Sequence, residues 1–439
     1  MRKTLALFSL SLGIALVSPV RSVVAQVRIM TMPPLPTTPL RVAQPVIIPT
    51  IPPTVPQPQP QPQPSVTPAT PVLKPIGLSN NCTPSKACLG WDDQLFWGGK
   101  EKGKPGDRQA LIESIDHSLR YLQNPSAARI YENYPDKAIT LDRVRRSLLR
   151  FRQLVLTSKS PAELQAAVRR EFTFYQSVGN DGKGTVKFTA YYEPIYQASR
   201  VPTSEFKYPI YQLPSNFDQW EKPHPKRIEL EGKDGLLGKD SPLSGLELFW
   251  FRDRFDAYLI HIQGSAKLEL TDGTVTGVGY ANGTDYPWTS IGRELLNDGK
   301  ITQKQATMPG IINFFEGNPS AMDDYLPRWE RFIFFRDKGN TPATGSIGVP
   351  VTPERSIATD KSLMPPGALA LVNTSFPYVG NGGNLEYRRV SRFVLDQDTG
   401  SAIKTPGRVD YFMGTGKVAG DRAGVTGGNG TLYYLLLKR

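Results

Sequence analysis

The sequence predicts a mainly β protein with a helical N-terminal segment, built from barrels and not from a doubly wound sheet. Three observations predict it. Between residues 107 and 176 apolar side chains recur at helical spacing, as in Leu111, Ile115, Leu119 and Leu122 and again in Leu141, Val144, Leu148 and Phe151. After Gly184 the spacing becomes alternation, with Val186, Phe188 and Ala190 on one face of a strand and Lys187, Thr189 and Tyr191 on the other. Beyond that the chain carries many short strand-like runs separated by glycine turns, few helices among them, and no internal repeat.

Ahead of the folded part stands an export signal. Arg2 and Lys3 precede an apolar run over 5–17 and the small residues Ser22-Val23-Val24-Ala25, so residues 1–25 read as a signal peptide cut after Ala25. The run is shorter than the roughly 20 residues of a spanning helix. An uncleaved anchor is the alternative, and no cysteine near the cut offers a lipid-attachment site. Residues 26–79 read as a proline-rich disordered linker, because residues 33–75 hold 16 of the 40 prolines and proline favours extended, unpacked chain.

The formal charge of +12 is unevenly spread, since residues 1–78 hold six cations and no acids, leaving +6 for the remainder. A mildly basic body suits an anionic polymer such as cell wall, or simply a solvated surface. With no cluster of Lys and Arg interleaved with aromatics, nucleic acid is not an expected partner. Cys82 and Cys88 are close enough in sequence for a short-loop disulfide pinning the edge of the domain, and an exported chain meets an oxidising compartment.

The helical stretch is expected to include a helix opening at Ser160-Pro161-Ala162-Glu163, a capping box with proline at the first position, and running to about Tyr175. Strands are expected at 206–213, 246–251, 257–263, 267–270, 367–372, 387–395, 409–413 and 432–437.

Several chemistries lack material. His117, His224 and His261 are far apart with no cysteine near them, so neither a metal site nor a Ser-His-Asp triad is expected. No phosphate-binding loop occurs, and Gly277-Val278-Gly279 lacks the third glycine of a dinucleotide fingerprint, so no cofactor is expected. Ser401-Ala402-Ile403-Lys404 matches the Ser-x-x-Lys of serine acyltransferases, but it lies between turn residues instead of opening a helix, and its companion motifs are absent. Carboxylate chemistry remains. Asp410 sits in the apolar strand of Val409, Tyr411, Phe412 and Met413, where burial raises a carboxyl pKa toward that of a general acid, and Asp398 lies in the turn before it. Each also reads as a structural aspartate accepting turn amides.

Six separated blocks are quoted together by one family. Phe188-Thr189-Ala190-Tyr191-Tyr192-Glu193-Pro194, Ile262-Gln263-Gly264-Ser265, Gly279-Tyr280-Ala281, Ser290-Ile291-Gly292, Gly348-Val349-Pro350 with Arg355-Ser356-Ile357-Ala358-Thr359-Asp360, and Asp398-Thr399-Gly400-Ser401-Ala402-Ile403-Lys404 through Asp410 to Gly414 stand in the order of the membrane-bound lytic transglycosylase A family, which the chain resembles from about residue 185 to its end. The resemblance implies a split double-psi β-barrel domain (80–195 with 340–439), an inserted second β-barrel domain (196–339), and a glycan-binding groove between them. It implies cleavage of the MurNAc-β-1,4-GlcNAc bond of peptidoglycan with a 1,6-anhydromuramic product. The same match carries over Asp410 as catalytic, Asp398 and Asp360 as supporting acids, and Thr189, Gln263 and Ser265 as substrate-binding.

The implied partner is the peptidoglycan glycan strand, for a monomer in the periplasm or cell envelope, with outer-membrane association and further wall or membrane partners left open. Three departures stand out: Ser401 and Ala266 where the family favours glycine, both expected to narrow the groove, and the missing lipid-anchor cysteine. The competing reading is a non-catalytic polysaccharide-binding barrel, which has no need to keep the acid pair Asp398 and Asp410.

Overall fold

The apolar spacing of the N-terminal segment folds, in this computed structural model, as four helices: α1 (Arg108–Tyr121), α2 (Pro125–Glu132), α3 (Leu141–Thr157) and α4 (Pro161–Glu171). Residues 71–79, 82–96, 106–380 and 382–439 are described; the signal, its cleavage site and most of the proline-rich tether lie outside them. Asn124, Thr140 and Ser160 open α2, α3 and α4, each side chain accepting a backbone N–H of the first turn. Glu163 bonds back to the Lys159 amide (2.8 Å), one residue earlier than the capping box predicts. The stripe of Leu111, Ile115, Val144, Leu148 and Phe151 is fully buried against the strands, each side chain contributing about 1.5–3 kcal/mol.

Two expectations about this segment need correction. Helix α4 stops at Glu171, and the chain continues as strand β2 (Phe172–Ser177), because Phe172 and Phe174 alternate into the core while the backbone pairs with the C-terminal strand. The tether was expected to reach residue 79, yet β1 (Leu73–Ile76) pairs antiparallel with β2. As β1 is an edge strand, Pro75, which has no N–H to give, costs the ladder nothing on its open side. Cys82 and Cys88 are joined in a disulfide, and Gln165 of α4 donates to the Cys88 carbonyl (2.7 Å).

The barrel is assembled from both ends of the chain. Strand β3 (Val186–Glu193) precedes a long excursion, and β10 (Ser356–Ala358), β11 (Leu369–Val379), β12 (Leu385–Asp398), β13 (Arg408–Thr415) and β14 (Gly428–Leu437) follow it. The order β14-β11-β12-β10-β13-β3, with β3 also paired to β14, closes six strands into a ring. Val409, Tyr411 and Met413 alternate into its core with Phe188 and Phe376, so Asp410 and Phe412 take the other face. Helix α10 (Lys417–Val425) links β13 to β14.

The excursion, residues 195–337, is a second β unit. Strands β4 (Ile195–Ala198), β7 (Ser265–Leu270), β8 (Val275–Gly283) and β9 (Ile333–Asp337) form one sheet, and β5 (Tyr208–Tyr211) pairs with β6 (Glu247–Phe251). Single bridges Ser199 to Trp250 and Gln212 to Phe335 join the two sheets into a six-strand ring around Phe249, Phe251, Leu268 and Phe335. Five short helices decorate it, more than expected: α5 (Arg227–Glu231), α6 (Arg254–Gln263), α7 (Ile291–Asn297), α8 (Met308–Gly317) and α9 (Met322–Tyr325). Helix α6 replaces the strand expected at 257–263. Its residues are apolar and buried on nearly every side, which hides helical periodicity, while Asp253 caps the start and Gly264, at φ 76°, ends it.

Arg355, fully buried, anchors the base of the barrel. Its guanidinium donates to Asp92 (2.6 Å), to Asp107 and to the carbonyl of Phe393 (2.7 Å). Burial pushes the Asp92 carboxyl up, but Arg355 outweighs it and holds Asp92 below the usual range. Arg355→Ala would strand these carboxylates, so it is expected to cost about 3–5 kcal/mol in urea unfolding. A loss below about 1 kcal/mol would deny the anchor its weight.

Candidate active site

Register places four residues in one row across four neighbouring strands. Ala358 on β10 is paired with Asp398 on β12 to one side and Asp410 on β13 to the other, and Asp410 is paired with Thr189 on β3. Asp398 and Asp410 are therefore two strand spacings apart, about 10 Å between Cα atoms.

The two acids are treated differently. Asp398 has both oxygens engaged: Oδ2 accepts from the Tyr191 hydroxyl (2.8 Å), and Oδ1 from the amides of Ser346 (2.9 Å) and Thr399 (2.8 Å). Burial raises its pKa against these donors. Asp410 accepts one bond, from the Thr189 hydroxyl to Oδ1 (2.7 Å), and its Oδ2 has no partner among the described residues. The group is half-buried. Burial pushes its carboxyl up to about 6, with the charge of Asp398 adding to the rise and Thr189 and Arg408 opposing it. Arg408 in turn donates to Thr189 Oγ1 (3.0 Å), so the hydroxyl's own proton is directed at Asp410.

Asp360 stands outside the row. Burial raises it, but the Ser362 hydroxyl (2.6 Å) and the amides of Thr405 (3.0 Å) and Ser362 (3.1 Å) outweigh that and hold it below the usual range. It braces the β12–β13 connection, in which Ser401 to Lys404 form a turn and not a helix.

The inserted unit brings the remaining candidates to the end of β3. Gln263, at the end of α6, accepts from the Tyr192 amide (3.3 Å), three residues beyond Thr189 on the same strand, about 10 Å along it. Gly264 turns the chain at once into β7, whose first residue is Ser265; both Gln263 and Ser265 are half-buried. Ala266 points the opposite way and is wholly buried in the insert core, so it does not narrow a groove as expected.

Three residues near these were not singled out from the sequence. Tyr191 shares the face of Thr189 and packs on Phe412 (ring centroids 5.1 Å), and alternation along β3 was its signal. Arg408 becomes visible only through β-pairing. Asp256 lies on the same face of α6 as Gln263, seven residues on, and burial, followed by the charge of Asp253, pushes its carboxyl up to about 7.

This two-unit architecture has known relatives. Residues 187–336 match the MltA specific insert domain and residues 355–436 match the 3D domain. The membrane-bound lytic murein transglycosylase A homolog of Buchnera aphidicola is 31% identical over 268 residues, 61% of this chain and 70% of its own. The Vibrio cholerae membrane-bound lytic murein transglycosylase A is 30% identical over 273 residues, 62% of this chain and 70% of its own. In fold, the crystal structure of E. coli MltA with bound chitohexaose superposes with a TM-score of 0.62 at 23% identity, covering 84% of this chain and 95% of that one. The Agrobacterium tumefaciens membrane-bound lytic murein transglycosylase gives 0.60 at 24%, covering 75% and 93%.

The class is thus an enzyme acting on murein, a lytic transglycosylase. Within that class, the chain belongs to the membrane-bound lytic murein transglycosylase A family.

An aspartate whose folded pKa is raised costs stability over the pH range in which the unfolded chain has lost the proton and the folded chain keeps it. With its pKa raised to about 6, Asp410 adds no penalty below its ordinary value near 3.8; the penalty builds as pH rises from there to about 6 and is complete above it. Asp410→Asn is therefore expected to be more stable than the natural protein at pH 8, by about 2 kcal/mol, and equal to it at pH 4. Thermal melts at both pH values check this; an equal or lower melting temperature at pH 8 would contradict it.

Proposed function

We propose that the chain cleaves the β-1,4 bond between N-acetylmuramic acid and N-acetylglucosamine in peptidoglycan, leaving a 1,6-anhydromuramic end, with Asp410 as acid and then base. The observation that carries this is the contrast within the row: one carboxyl has a free oxygen and a pKa near 6, and its neighbour is held by three donors.

Protonated Asp410 gives its proton to the glycosidic oxygen as the bond to C1 breaks. The C6 hydroxyl of the same muramic acid then forms the new bond to C1, and Asp410, now a carboxylate, takes the proton that hydroxyl loses. No second carboxylate is needed as nucleophile, in contrast to an ordinary retaining glycosidase. Holding the nucleophile within the substrate also removes most of the entropy cost of the encounter.

Thr189 keeps Asp410 in place, Asp398 and Tyr191 form the fixed wall beside it, and Gln263 and Ser265 hold the glycan from the inserted unit. The structure of E. coli MltA with bound chitohexaose supports a polysaccharide as the substrate class. The membrane-bound relatives support a place in the cell envelope, and among the described residues no helix is long and apolar enough to cross a membrane.

Incubation with sacculi is expected to release anhydromuropeptides, read by mass spectrometry, and Asp410→Asn to lower the rate by at least about 10²-fold. Reducing-end products would replace the proposal with hydrolysis, and retention on sacculi without release would favour a binding protein. Because the acid form starts the reaction, kcat should fall as pH rises through about 6. That fall should persist in Asp256→Asn, which removes a carboxyl of the inserted unit that burial pushes up to about 7.

A further inference from the structure

The chain crosses between the two β units twice, and the crossings are tied to each other. Glu193 is the last residue of β3 before the excursion, and Lys338 is the first residue after β9 on the return. Lys338 Nζ meets Glu193 Oε1 at 2.8 Å, with both side chains less than one-tenth exposed. The other carboxylate oxygen, Oε2, accepts from the hydroxyl of Thr415 (3.0 Å), the last residue of β13. The Glu193 carbonyl takes the amide of Gly416 (2.9 Å). One carboxylate thus joins the strand that leaves the barrel, the strand that returns to it and the strand that carries Asp410.

Space for this tie is made in the inserted unit. The stem of Lys338 lies across β8, whose Gly277 and Gly279 have no side chains to obstruct it. A Cβ at Gly277 would come within 2.8 Å of Lys338 Cε, and one at Gly279 within 3.6 Å of Cδ. The Lys338 amide bonds the Gly277 carbonyl (2.9 Å) and its ammonium also reaches the Thr341 carbonyl (2.9 Å). The Gly-Val-Gly that fails as a nucleotide fingerprint therefore has another use, a bed for a lysine stem.

We infer that the Glu193–Lys338 pair, with Thr415, positions the glycan-cleaving site by fixing the inserted face of Gln263 and Ser265 against the barrel face of Asp410. These are positioning residues: each acts through the strand it holds, and neither is placed at the reacting bond. A buried ion pair is a poor source of net stability, since a well-packed apolar pair usually replaces it at no loss. Its virtue is geometric, because ion and hydrogen-bond geometry admits one relative placement of three strands where apolar contacts admit many.

The inference rests on the proposed reaction, and a binding readout separates the two. In the test the full chain carries Glu193→Met with Lys338→Met, an apolar pair of similar bulk. Thermal melting is expected to match the natural protein, while kcat/KM on sacculi falls at least about 10-fold. In an Asp410→Asn background, which binds without turnover, the same pair of changes should weaken chitohexaose binding measured by calorimetry about 10-fold. The exchanged pair Glu193→Lys with Lys338→Glu, which restores opposite charges, should recover part of both losses. Stable Met/Met protein with undiminished turnover and chitohexaose affinity would overturn the inference. Should the Met/Met protein be unstable, the exchanged pair decides: normal melting with no recovery of binding also overturns it. Failure of the natural protein to release anhydromuropeptides, with the binding loss intact, would instead count against the proposed reaction alone.

Discussion

Strand β3 has to satisfy two neighbours in the barrel, β13 in parallel and β14 antiparallel, while its far end leaves for another unit. Remove it and the six-strand ring opens, because it is the one barrel strand contributed from ahead of the excursion. Its alternation then distributes the consequences. Val186 and Phe188 enter the core; Thr189 and Tyr191 face the other way and grip the two aspartates. The amide of Tyr192 holds Gln263, and Glu193 receives Lys338. Eight residues in one extended segment therefore close the barrel, dress the acids and locate the inserted unit. A slip of one residue would turn every one of these side chains to the wrong face.

Among the described residues, several of the most deeply buried carboxylates are matched by cations and donors. Asp92 and Asp107 share Arg355; Asp396 accepts from Thr359 (2.7 Å), Tyr434 (2.6 Å) and Lys361; Glu354 sits between Arg392 (2.7 Å) and Arg422 (2.6 Å). Such pairing is what low-polarity surroundings demand of an ionised group. Asp410 is the departure from this pattern within the row, with a single donor and an incompletely shielded site. A fold optimised only for stability would satisfy it or replace it, which is why under-compensation there is informative.

How much of this was legible in the sequence depended on the distance over which each feature is written. The barrel strands showed through because alternation is local: Val409, Tyr411 and Met413 around Asp410 already place the acid on the opposite face. The motif blocks brought Thr189, Asp398 and Asp410 into one list, but their common row needed the register of β10, a three-residue strand too short to leave a pattern. Helix α6 was missed although its cap and stop, Asp253 and Gly264, were in plain view, because the apolar run between them carries no period. With α6 misread as a strand, Asp256 and Gln263 could not be placed on one face. The Glu193 to Lys338 tie spans 145 residues and has no local signature at all.

A single carboxyl can serve both halves of a cleavage only if neither protonation state is held too firmly. Several donors unopposed by burial would favour the anion and withhold the proton from a leaving oxygen; complete burial with no donor would favour the acid and refuse the proton of an attacking hydroxyl. Asp410 lies between these limits for identifiable reasons. Burial by the apolar strand raises it, while Thr189 and the charge of Arg408 pull it back, leaving it near 6. Arg408 contributes twice, as a charge and by orienting the Thr189 hydroxyl, so the poise of the acid is set by a residue two positions away on its own strand and one across on β3. The same pairing that closes the barrel thereby sets the proton affinity of Asp410.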